Sequence, residues 1–221
     1  MKTKSKSALL FFLLVVPTIL VFRAFFLPGP LVWGDAPLYN SEALRDLFGP
    51  PYSWFNQSVA GLGSVNNLYW IYPISYLFGA LHKLFGMSSD VLIRILFYIP
   101  ALLGSMIFPI FLARYLGYSR VVQFFTSFVY TFNTSFILLV DGGQVGVALA
   151  WGIFPLTLLY LRKLIDKPTF VQIYKAIAAF MLIAVADARL ELICVFAAIL
   201  WWGLEIVSVI SKISWGKAKA F

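Results

Sequence analysis

Asp35 is the side chain with the most chemistry to offer. It sits in Gly34-Asp35-Ala36-Pro37, a few residues past the apolar run Ala8–Leu27. A carboxylate held beside a membrane can take a proton from a hydroxyl. The same residue reads as the cap of a helix with Pro37 in its first turn, and both readings stay open. Arg94 and Arg189 fall near the ends of apolar segments. Ionisable groups there are costly and default to function, unless they snorkel to the interface. Arg189 belongs to Asp187-Ala188-Arg189-Leu190-Glu191, three charges that interrupt an apolar run. On a continuing helix Asp187 and Glu191 would share a face and Arg189 would point away. These carboxylates could join Asp35 around a divalent cation such as Mg or Mn, or Arg189 could pair with a neighbouring helix; two carboxylates are few for a metal.

Other polar positions have plainer explanations. Asp141-Gly142-Gly143-Gln144 has the composition of a tight turn. His82 beside Lys83 reads as interfacial, and Glu205 inside the last apolar run needs a partner. Asn56-Gln57-Ser58 is a glycosylation sequon, whereas Asn133-Thr134-Ser135 falls within an apolar segment and should be unreadable. The single Cys194 excludes a disulfide framework and a cysteine-based metal site.

The elements that must position these residues are membrane helices. Of 221 residues 62% are hydrophobic and only 12% charged, and the mean hydropathy of +0.90 lies far above that of a water-soluble domain. The net charge of +8 comes from short clusters between apolar runs, which is a topology signal and not a nucleic-acid patch. Lys2, Lys4 and Lys6 precede an apolar run long enough to span, with no small-residue cleavage site before Pro28, so an uncleaved anchor is expected rather than a signal peptide.

The expected spans are 8–27, 91–113, 121–140, 145–161, 170–186 and 192–211, each close to the ~20 residues a crossing helix needs. Leu68–Phe85 is apolar but interrupted by Pro73 and rich in tyrosine and tryptophan. If it crossed, Arg162, Lys163 and Lys167 would face outside, against the positive-inside rule. If it lies on the surface, twelve of seventeen basic residues fall on the cytoplasmic side and seven of nine acids outside. The expectation is therefore an all-α polytopic membrane protein of six spans in one domain, with both termini in the cytoplasm of the plasma membrane. Residues 28–90 would form one outer loop. That loop carries two juxtamembrane helices, an amphipathic one over Leu38–Phe48 and an aromatic-rich one over Leu68–Phe85.

This plan resembles the GT-C superfamily of membrane glycosyltransferases. The residues that carry the resemblance are Pro28-Gly29-x-Leu31-Val32 before Asp35, Asn66-Asn67-x-Tyr69-x3-Pro73 with Leu77-Phe78, and Gly86-Met87-x3-Val91-x2-Arg94. They are most similar to the membrane region of mycobacterial and archaeal arabinofuranosyltransferases. More distantly, Tyr72-Pro73-Ile74 falls where protein O-mannosyltransferases carry a His-Pro-Pro-Leu motif. The similarity covers roughly Pro28 to Leu161, at the level of pattern.

The resemblance implies inverting transfer of a sugar from a polyprenyl-phosphate donor in the membrane to a glycan or protein acceptor, on the outer face of the membrane. Asp35 would be the base, Arg94 and Arg189 the donor-phosphate contacts, Asp187 and Glu191 metal or acceptor contacts, and Trp33, Tyr39 and Tyr72 surfaces for stacking sugar rings. Such enzymes usually have more spans. A chain ending at Phe221 is thus expected to be a fragment, a truncated relative, or half of a two-chain enzyme whose partner supplies the missing helices. Two other classes fit a polytopic chain: a non-catalytic scaffold, and a lipid or polysaccharide transporter. A transporter would show broken helices in paired halves, and no such pairing stands out.

Overall fold

The computed structural model describes residues 2–27, 29, 54–55, 64–65 and 72–218, with most side chains between 12 and 204. Asp35, Trp33, Tyr39 and the expected helix over Leu38–Phe48 lie outside the described residues. The described residues are largely helical, with one antiparallel pair, Trp54 with Val65 and Phe55 with Ser64. Helix α1 (Lys2–Val21) passes through a single 3₁₀ turn, Arg23–Phe25, and so ends earlier than the expected span 8–27.

Helix α2 (Tyr72–Phe85) has 14 residues, about 21 Å, and is too short to cross the hydrocarbon core of ~30 Å. Pro73 does not break it. Proline in the first turn loses no hydrogen bond, and the helix starts there. Gly86 at φ 64° closes its far end, with the Gly86 amide bonded to the His82 carbonyl.

Among the described residues three helical stretches are long and apolar enough to cross a membrane: α3 (Ser89–Tyr115), Arg120–Asp141, and α6 (Val145–Asp166). Helix α3 widens into a π turn over Arg94–Tyr98. Pro100, just beyond, has no amide to give the Leu96 carbonyl and its ring crowds it, which opens the turn before it. The stretch expected as one span over 121–140 is two helices, α4 (Arg120–Phe132) and α5 (Thr134–Asp141). Asn133 separates them: it is extended, and its Oδ1 accepts the Phe136 amide at 2.9 Å as the cap of α5. Helix α7 (Phe170–Ala186) matches its expected bounds, and α8 (Ala188–Ala218) starts earlier and runs longer than 192–211.

Helix α6 is the centre of the bundle, touching α3, α5, α7 and α8, while α1 leans on α4. Its contact with α3 depends on absent side chains. A Cβ on Gly152 would stand 2.5 Å from the Ala101 carbonyl oxygen, and one on Gly104 2.8 Å from that of Gly152. Small residues let backbones meet where lipid gives no hydrophobic drive for association.

Polarity is arranged for lipid. Helix α4 buries Gln123, Ser127 and Thr131, one turn apart, and exposes Val121, Phe125 and Val129. Ser127 Oγ donates to the Met106 carbonyl at 2.5 Å, and Tyr130 Oη to that of Trp151 at 2.7 Å. A water-soluble helix would be turned the other way round.

Candidate functional site

Gly146 in the first turn of α6 meets Ala186 at the end of α7, and Gly152 meets Ala101 in the first half of α3, so the start of α3, the α5–α6 turn and the α7–α8 junction share one end of the bundle. At that end Arg94 enters from the π turn of α3. Its Nε donates to the Phe25 carbonyl (3.1 Å), Nη1 to Asp90 (2.8 Å), and Nη2 to Leu27 (2.7 Å) and Gly29 (2.6 Å). A guanidinium has five N–H groups, and four are engaged with backbone carbonyls here. Arg94 therefore anchors the segment leaving α1, six residues before Asp35 in sequence. Phe25 packs beneath it against Tyr98, with ring centroids 4.3 Å apart.

The helix does not continue through Asp187. This residue is extended at φ −162°, and it ends α7 and caps α8. Its Oδ1 accepts the amides of Arg189 (2.9 Å) and Leu190 (3.2 Å), and Oδ2 accepts Arg189 Nη2 at 2.7 Å. The face expected to join Asp187 with Glu191 is not formed. The Asp187 side chain is 5% exposed and its Arg189 partner 71%. Both Asp187 oxygens are thus taken by N–H donors, a set that does not fit a divalent cation. Among the described residues no three His, Cys, Asp or Glu side chains converge.

Around these charges the fold is tightly drawn. Gly143 at φ 70° makes the α5–α6 turn, its amide bonded to the Val140 carbonyl, in keeping with the turn composition of Asp141–Gln144. A Cβ on Gly146 would come 2.5 Å from the Ala186 oxygen, so the first turn of α6 lies against the α7–α8 break. His82 Nδ1 bonds the Met87 carbonyl at 2.7 Å and folds the link after α2 back onto that helix, a structural role. Tyr72 opens α2.

Below the charges runs a groove of about 420 Å³, lined by residues of α2, α3, α6 and α7, among them Ile74, Leu96, Pro100, Leu149 and Val185. Every lining residue is apolar or glycine. Leu96 lies two residues from Arg94 and Val185 two from Asp187, about 3 Å along a helix axis. One end of the groove therefore meets the level of both arginines. Nothing in the linear pattern pointed to this groove, because four helices contribute to it; Pro100 and Gly104, which thin the α3 wall, were its only trace.

No family model matches the chain, and no curated protein and no solved structure matches it either.

Proposed function

We propose that the chain is the membrane module of a glycosyltransferase that takes a sugar from a polyprenyl-phosphate donor, with inversion, and delivers it to an acceptor at the outer face. In this reading six helices cross the membrane, both termini are cytoplasmic, and α2 lies at the outer surface. The observation that supports it best is the apolar groove ending at the arginine level. A polyprenyl chain would lie in the groove, and its phosphate would stand beside Arg189, whose exposed guanidinium is aimed by Asp187. Asp35 would receive the proton of the acceptor hydroxyl as the glycosidic bond forms and the bond from the anomeric carbon to the phosphate breaks. The phosphate leaves with its electron pair, so no strong acid is required.

A second reading is favoured by Arg94, whose donors are spent on carbonyls. A non-catalytic scaffold, or a truncated transferase module, would need such an anchor and no reactive groups.

The test is Asp35→Asn in a membrane transfer assay supplied with any partner chain. Asn caps a helix about as well as Asp, so thermal stability should stay near wild type. Loss of a base lowers the rate by about 10² to 10⁴. Equal transfer by wild type and variant would leave Asp35 a cap and favour the scaffold.

A further inference from the structure

The opposite end of the bundle gathers cations from two helices around one aromatic ring. Lys163 of α6 holds its Nζ 5.5 Å from the Tyr160 ring centroid and 5.3 Å from that of Tyr115. Lys175 of α7 comes to the same Tyr160 ring at 5.9 Å. Two ammonium groups from different helices thus face one ring, whose quadrupole attracts each. The acid nearby is already engaged. Asp166 accepts Tyr115 Oη at 2.8 Å and is bridged by Arg162 at 2.9 Å. Neither lysine makes an ion pair among the described residues. Tyr174 and Trp202, 70% and 53% exposed, mark this level as the one where aromatic side chains meet lipid headgroups.

We infer that Lys163, Lys175 and Tyr160 form a binding site for the phosphate of an anionic phospholipid. The diester phosphate supplies a negative charge at the depth where the ring sits, and its acyl chains follow the apolar surface of α6 and α7 inward. Basic clusters between membrane helices select such lipids from an anionic leaflet. A free phosphate offers the same charge but gains nothing from that apolar surface.

The experiment is native mass spectrometry of the detergent-solubilised chain titrated with phosphatidylglycerol or phosphatidylcholine. Wild type should bind phosphatidylglycerol in preference. The Lys163→Gln/Lys175→Gln variant should lose about 25-fold in that affinity, about fivefold for each lysine, with phosphatidylcholine binding unchanged. Lys163→Arg/Lys175→Arg should retain the preference, which keeps the test valid if the glutamine variant folds poorly. Unchanged phosphatidylglycerol affinity in a folded glutamine variant would overturn the site. So would displacement of the lipid by an equal concentration of glycerol 3-phosphate, which would make it a site for soluble anions.

Discussion

Arg94 shows how much a single side chain can decide in a membrane. Its carbonyl partners Phe25, Leu27 and Gly29 are 69, 67 and 65 residues away in sequence. No local pattern could reveal that pairing, and only its cost in a membrane marked it as worth explaining. Hydrogen bonds to charged groups contribute about 1.5–3 kcal/mol each, though losses within one cluster do not add. Arg94→Ala should therefore lower the free energy of unfolding in detergent by at least about 2 kcal/mol. Arg94→Lys should recover only part of it, because an ammonium lacks the planar fork that reaches separate carbonyls. A melt in which lysine and arginine are equivalent would reduce the residue to a snorkelling charge. Asp187 was harder still to read. An aspartate inside an apolar run suits both a continuing helix and a cap, and only the extended backbone at that position decides for the cap.

At the scale of the element, the periodic segments were legible and their interruptions were not. Helix α7 has the bounds its apolar run dictates, since Pro168 and Thr169 start it and Asp187 stops it. Asn133, a good capping residue, divides a stretch that the apolar residues on both sides present as one span. The contact between α3 and α6 has the sharpest consequence. Gly152→Ala puts a Cβ 2.5 Å from backbone, which neither helix can relieve by a rotamer change. Overpacking of this kind typically costs about 1–3 kcal/mol. Gly203→Ala in α8 meets nothing within 4 Å and should be neutral or stabilising by up to about 1 kcal/mol, since alanine is the better helix former. Equal melting temperatures for the two variants would mean that α3 and α6 are less closely joined than described.

For the whole molecule, composition alone identified helices in lipid, because 62% hydrophobic residues cannot all be buried in so small a chain. The number of crossings was a matter of charge bookkeeping along the sequence. Over its described residues α2 has 14, fewer than a crossing helix needs. Membrane-impermeant thiol labelling of intact cells tests the six-span proposal. In a background lacking Cys194, cysteines at positions 40 and 60 should react from outside. Those at 118 and 166 should react only after the membrane is opened. Cytoplasmic reactivity at residues 86–90 would reverse the orientation of everything after α2.

The buried polar face of α4 has a consequence for how the chain is made. A helix leaving the insertion channel alone would present Gln123, Ser127 and Thr131 to lipid, with no carbonyl from α3 to receive Ser127. The link between α3 and α4 is only residues 116–119, turned at Gly117 with φ 82°. A link this short would let the two helices enter the bilayer together as a hairpin, with Ser127 already facing the Met106 carbonyl.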